Sequence, residues 1–189
     1  QWKNTGAGNG KAGADVSAEK AWDITTGGLT AAGDTIVVCV IDDGTDLQHE
    51  DLAANVWFNR GEIPNNGIDD DGNGFVDDFN GWNFYSQDDN VSVGSHGVNV
   101  CGMIGAVGNN DIGITGINWN VKIMNVVLSD FNEAAIVECY DYPYQSRVAY
   151  NNSNGQKGAF VVSVNMSNGI DYGNPADAPI WCGFYDVMG

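Results

Sequence analysis

Apolar residues in this chain arrive in short bursts separated by polar, glycine-rich stretches. Residues 35–41, TIVVCVI, are a continuous β-branched run, the pattern of a strand covered on both faces. Residues 121–128 and 160–166 repeat it and predict two further buried strands. Residues 96–107 place Gly97, Cys101, Gly102 and Gly105 at close intervals, which predicts a helix packed tightly on a neighbour. Residues 132–151 contain Ala134, Ala135, Ile136 and Val137 and predict a longer helix, broken or kinked at Pro143. Shorter helices are expected at 15–22, ahead of Gly27 and Gly28, and at 179–188, after a proline-punctuated segment; residues 151–158 read as a loop. Polar turn chemistry from Asn59 to Asp89 precludes regular structure over a long stretch, and an ordered loop of that length is usually functional.

Strands alternating with helices predict an α/β domain, a mostly parallel sheet with helices on both faces and right-handed crossovers. At 189 residues the chain fits one domain, able to bury roughly 70% of the surface its unfolded form exposes. No repeat or linker divides it. Ligands of such sheets bind beyond the carboxyl ends of the strands, and Asp42 stands at one of those ends.

Charge narrows the partners. With 25 acidic against 7 basic residues the formal net charge is -18, so nucleic acid and anionic membrane surfaces fit poorly: neutralising phosphates takes lysines and arginines that are scarce here. Crowded carboxylates repel one another in a compact state, and bound calcium is one way to relieve them. The apolar runs fall far short of the roughly 20 residues that cross a bilayer, so a soluble protein is expected. The four cysteines lack zinc-ligand spacing. Cys39 and Cys101 read as buried free thiols, whereas Cys139 and Cys182 are either a disulfide pair or two more thiols. The chain opens at Gln1 with no methionine and no apolar leader, as expected where a targeting or pro-segment has been removed from a longer precursor.

Two motifs carry chemistry. VVCVIDDG, residues 37–44, puts the carboxylate of Asp42 at a strand exit, although Asp-Gly after a strand is by itself ordinary turn chemistry. SHGVNVCG, residues 95–102, puts the imidazole of His96 at the start of the glycine-rich helix. A carboxylate followed by an imidazole gives the first two members of a hydrolytic triad in the chain order Asp, His, Ser.

The wider context resembles one family. VVCVIDDGTDLQHEDL continues into a His-x-Asp-Leu corner at His49, Asp51 and Leu52, and SHGVNVCG is similar to His-Gly-Thr-His-Val-Ala-Gly at His96, Gly97, Val100 and Gly102. These stretches resemble the subtilisin-like serine proteases, or subtilases, over roughly residues 14–189. Val98, Asn99 and Cys101 depart from the common residues, at supporting positions. The resemblance implies a three-layer α/β fold, incomplete in this chain, with residues 1–189 forming the N-terminal part of a peptidase domain. It implies that Asp42 accepts a hydrogen bond from one ring nitrogen of His96 while the other nitrogen takes a serine proton. His49 is structural by the same comparison. VVSVNMSNG, residues 161–169, resembles a strand and edge flanking the substrate channel. Ser167, Asn168 and Gly169 would then line the pocket for the residue before the cleaved bond, with Ser129, Asp130 and Phe131 as the other wall. Their main chain would pair with an extended peptide as an added strand. The family's oxyanion asparagine and its nucleophilic serine in Gly-Thr-Ser-Met are not found. Loss of the nucleophile costs on the order of a million-fold in turnover, so this chain alone is expected to be inactive. The resemblance implies that a second chain cut from the same precursor, or a further C-terminal segment, supplies both groups.

NGIDDDGNGFVDD, residues 66–78, sets Asp69, Asp71 and Asn73 at alternate positions before Gly74, a spacing that can wrap one hard cation. An EF-hand counted from Asp69 needs a glutamate at its twelfth position, where Asn80 stands, so Asp77 and Asp78 would have to close the shell. The insert at 66–80 is similar to acidic, calcium-site inserts of some bacterial subtilases. A second site, around Asp51, Asn109 and Asn110, is implied only by resemblance. Taken together, the expectation is the N-terminal chain of a secreted or cell-surface, calcium-stabilised serine endopeptidase. The alternatives are an inactive subtilase-like peptide-binding module and a calcium-dependent structural protein.

Overall fold

In the computed structural model, which describes residues 3–169 and 173–188, four parallel strands form one sheet in the order β2-β3-β1-β4. Residues 1, 2, 170–172 and 189 of the expected peptidase region lie outside the described residues. The strands are β1 (Val37–Asp42), β2 (Trp82–Asn83), β3 (Lys122–Val127) and β4 (Val161–Met166). The helices are α1 (Ala18–Trp22), α2 (His96–Gly105), α3 (Glu133–Asn152) and α4 (Pro179–Met188).

The apolar run of β1 serves two cores because successive side chains point to opposite faces. Val37, Cys39 and Ile41 join Met124, Val126, Ile136, Cys139 and Tyr140 on the α3 side. Val38 and Val40 join Leu52, Cys101, Ala106 and Ile123 on the α2 side. The sheet is therefore the middle of three layers. From β1 the chain runs out past β3 to β2 at the sheet edge, returns through α2 to β3, then crosses through α3 past β1 to β4. The two helical crossovers therefore step the same way across the sheet while α2 and α3 lie on opposite faces, so they are of opposite hand and the expectation of uniformly right-handed crossovers does not hold. Because the chain leaves β1 toward β2 on one side and β4 lies on its other side, a crevice opens at the carboxyl end of this central strand. The register levels those ends, with Asp42 opposite Val127 and Ile41 opposite Met166.

Several expectations change. The stretch 59–89 is not wholly irregular, since Trp82 and Asn83 pair with Val126 and Val127. Gly81 explains the entry: it has φ +103° and lies so close to β3 that an added Cβ would stand 2.1 Å from the Asn125 carbonyl oxygen. Asn83 Oδ1 then accepts the amides of Tyr85 and Ser86 and turns the chain away. Pro143 does not break α3, which runs through it for 20 residues. The hydrogen bond lost at its missing N–H is offset by burial of Ile136, Cys139, Tyr140, Tyr142 and Pro143 itself. β4 is buried only at Val161, because it pairs with β1 alone among the described strands and leaves Val162 half exposed. All four cysteines are free thiols, Cys139 buried and Cys182 partly so, which resolves the open pairing against a disulfide. No described helix is long and apolar enough to cross a membrane.

Candidate active site

The last residue of β1, Asp42, is 7% exposed, and its Oδ1 lies 2.8 Å from Nδ1 of His96. An ionised carboxylate can only accept, so Nδ1 carries the proton and Nε2 keeps a lone pair for a reactant. The ring stands at the mouth of the crevice, with 59% of the side chain open to solvent. Its pKa is raised from the ordinary 6.5, first by the hydrogen bond to Asp42 and next by the charge of that carboxylate.

The pair meets because β1 and α2 approach closely. An added Cβ at Gly97 would come within 2.1 Å of the Gly44 carbonyl oxygen and 3.2 Å of Asp42 Cβ, so only glycine lets α2 begin there. Ser95 supplies no side-chain cap. The carboxylate of Asp43 takes that part from outside the helix, accepting the amides of Ser95 at 3.2 Å, His96 at 3.1 Å and Gly97 at 2.8 Å. Partial burial pushes the Asp43 carboxyl up, but those three N–H groups outweigh it and hold the group below the usual range. In the sequence, Asp43 looks like mere turn chemistry. What identifies it is the second aspartate directly after a strand-end aspartate, free to turn toward a helix start.

Both expected channel walls follow strands adjacent to β1. Ser129, Asp130 and Phe131 lie just beyond β3, where Asp130 Oδ1 accepts the Phe131 amide at 2.7 Å. The Phe131 ring is partly exposed and meets Trp181 of α4 edge-on, with centroids 6.3 Å apart. Ser167, Asn168 and Gly169 lie just beyond β4, exposed, and Ser167 Oγ accepts from Asn165 Nδ2 at 2.9 Å. A short, partly or fully exposed segment thus follows the strand on each side of β1.

A family model described as the subtilase family matches residues 33–178. The chain belongs to the subtilase family. It is 36% identical over 149 residues to subtilisin-like protease 1 of Plasmodium berghei (strain Anka), covering 76% of this chain and 24% of that protein. The same-named protease of Plasmodium falciparum (isolate 3D7) is 39% identical over 111 residues, 56% of this chain and 16% of its own length. Neuroendocrine convertase 2 of Homo sapiens is 30% identical over 132 residues, covering 69% of this chain and 18% of that protein. The chain therefore spans about a quarter or less of the length of these relatives. Among solved structures, the Aeromonas sobria serine protease, crystallised with its chaperone, superposes with a TM-score of 0.54 over 93% of this chain and 24% of its own, at 24% identity. That likeness supports the three-layer subtilisin fold.

In this subtilase the acidic insert folds back on itself. Carboxylate oxygens of Glu62, Asp69 and Asp71 all lie within 4.8 Å of one another. Glu62 is 5% exposed; its Oε1 accepts the amides of Asp70 and Asp71, while its Oε2 is buried with no hydrogen-bond partner. Asn73 bridges inward, its amide reaching Asp78 Oδ2 at 2.9 Å and Asp71 Oδ2 at 3.4 Å. Asp77 and Asp78, expected to close a cation shell, are occupied elsewhere. Asp77 accepts the amides of Asn66 and Gly67. Asp78, fully buried, accepts from Asn59 at 2.7 Å, Asn73 at 2.9 Å and the Tyr142 hydroxyl at 2.6 Å. Burial pushes its carboxyl up to about 6 against the downward pull of those donors. Glu62 escaped the sequence reading because it lies outside the 66–80 motif. It is nonetheless the only glutamate between Asn59 and Asp89, and the longer side chain gives the reach an aspartate lacks.

The second acidic position is self-sufficient. Asp51 is buried, and its two oxygens accept from Asn110 Nδ2 and the Ile114 amide, both at 2.8 Å. His49 Nδ1 accepts the Asp51 amide at 3.2 Å, which ties the corner after β1.

Proposed function

We propose that this subtilase chain supplies the acid–base pair and part of the peptide channel of a secreted or cell-surface serine endopeptidase stabilised by calcium. The observation that carries the reading is the 2.8 Å contact between Asp42 Oδ1 and His96 Nδ1 at the carboxyl end of the central strand. Asp42 fixes the tautomer and stabilises the imidazolium formed when Nε2 takes a proton from an attacking serine hydroxyl; the same proton later passes to the leaving amine. Residues 129–131 and 167–169 flank the scissile bond and pair with substrate main chain. The nucleophilic serine and an oxyanion-stabilising asparagine come from outside residues 1–189, on a second chain of the same precursor or on a C-terminal continuation. The much greater length of the relatives supports that division.

Calcium fits the insert on this chain's own chemistry. Glu62, Asp69 and Asp71 offer hard carboxylate oxygens close together, and the orphaned Oε2 of Glu62 is a buried charge that calls for a cation. Those three would hold the ion, with Asn73 beside them. The bound ion would supply positive charge that relieves the repulsion among them.

Labelling of the native preparation with a fluorophosphonate, followed by mass spectrometry of the modified peptide, tests the reading. The expected label is on a serine outside residues 1–189, and His96→Ala abolishes it. Labelling inside 1–189, or labelling indifferent to His96→Ala, overturns the assignment. Retained peptide binding with no labelling in the unmutated protein would favour the inactive binding module instead.

A further inference from the structure

At the opposite end of the sheet from Asp42 lies a cavity of about 560 Å³, bounded by the residues that lead into β1 and β4 and by the first residue of β3. Two of the chain's seven basic residues, Arg60 and Lys122, line it. Arg60 is held over the mutually stacked rings of Phe58 and Phe79, at 5.6 and 5.8 Å from their centroids. The Lys122 ammonium donates to the Ala54 carbonyl. Two more cations stand around the same end and bind no carboxylate. Arg147 donates to Asn151 and the Val161 carbonyl and lies over Phe160, a residue of the cavity wall, while Lys157 donates to the Asp71 carbonyl.

These contacts fix where the cations sit without compensating their charge. In a chain with 25 carboxylate side chains, the only lysine or arginine in an ion pair among the described residues is Lys3, with Glu19. The cavity has one carboxylate on its wall, Asp34, and that group is taken by the Tyr150 and Thr30 hydroxyls at 2.6 and 2.7 Å. The cation that acts on Asp34 is Arg147. Lys122 instead faces Arg60: its pKa is lowered by burial first and by the Arg60 charge second. Two like charges thus share one concave, partly aromatic space with no carboxylate paired to either, in a molecule that has carboxylates to spare.

We propose that this cavity binds an oxyanion between Arg60 and Lys122, with Trp57 and Phe58 covering the carbon skeleton of the molecule that bears it. A guanidinium and an ammonium together offer a planar fork and a point charge, the donor set used for carboxylate, sulfate and phosphate groups. The group is either a free small anion or the side chain of an acidic peptide, and the site is separate from the peptide channel at the other end of the sheet.

Isothermal titration of the full-length protein at low ionic strength tests this with inorganic sulfate, a tri-glutamate peptide with acetylated and amidated ends, and its equally blocked tri-glutamine counterpart. One saturable site is expected for sulfate or for the glutamate peptide, and none for the glutamine peptide. Arg60→Gln and Lys122→Gln each weaken binding at least tenfold, the glutamine at 122 still being able to donate to Ala54, while Lys20→Gln changes nothing. Sulfate binding without a gain from the peptide assigns a free anion; tighter peptide binding assigns an acidic segment. Absence of binding by both anionic ligands, or unchanged affinity in folded Arg60→Gln protein, overturns the proposal.

Discussion

The His96 ring is exposed, yet its base strength is set by a buried neighbour. The Asp42 hydrogen bond and charge raise its pKa above the ordinary 6.5, and the sign decides two opposite pH dependences. Stability from the protonated His96–Asp42 pair is fully present below about pH 6.5 and is lost as pH rises through the raised value. Catalysis needs the neutral ring, so kcat/KM of the assembled enzyme should increase over the same interval, with an acid limb above 6.5. Asp42→Asn removes the carboxylate while keeping its shape. The expected result is a fall in kcat of about ten-thousandfold, because an amide can present its NH2 to Nδ1 and favour the wrong tautomer. The residual activity should show its acid limb moved down toward 6.5, readable from a pH–rate profile. A merely structural Asp42 would change the melting temperature and leave the limb in place.

Two glycines of α2 separate packing that serves the site from packing that does not. At Gly97 an added Cβ meets the Gly44 backbone, which cannot move without shifting the Asp42 turn, so Gly97→Ala should cost about 100-fold in kcat/KM by displacing His96. At Gly102 the nearest obstacle is Ile114 Cδ1 at 3.3 Å, the end of a half-exposed side chain, so Gly102→Ala should leave activity within about twofold. Steady-state kinetics on the two variants checks the contrast. The sequence disclosed that α2 packs closely, through its glycine spacing, and disclosed β1, β3 and both members of the Asp42–His96 pair. Its local patterns could not disclose what tertiary contact decides. β2 is two residues long and exists because Gly81 lets it reach β3. α3 survives Pro143 because the flanking Tyr140 and Tyr142 are buried. Tyr142 also ties α3 to the acidic insert through Asp78. Tyr142→Phe leaves that buried carboxylate one donor short and should lower unfolding free energy by about 2 kcal/mol, measured by denaturant titration.

At the scale of the whole molecule, a net charge of -18 has to be accommodated with seven cationic side chains. Most described carboxylates are satisfied by amides and hydroxyls rather than by cations, as Asp43, Asp51, Asp77 and Asp78 show. Glu62 departs from this pattern, since its Oε2 is buried with no donor at all. If calcium occupies the Glu62, Asp69 and Asp71 cluster, binding to the folded state alone adds about 2.7 kcal/mol at a hundredfold excess over Kd. For a chain of this size that corresponds to roughly 5–10 °C in Tm. Chelation should therefore lower Tm by about that amount, and added calcium should restore it. Glu62→Gln keeps an oxygen for the Asp70 and Asp71 amides but discharges the orphan. That variant should melt nearly independently of calcium, and without calcium it should be at least as stable as the parent, because the buried charge no longer lacks a partner. A parent protein whose melting is indifferent to chelator would show that the insert is held by its own hydrogen bonds and that the cluster needs no ion.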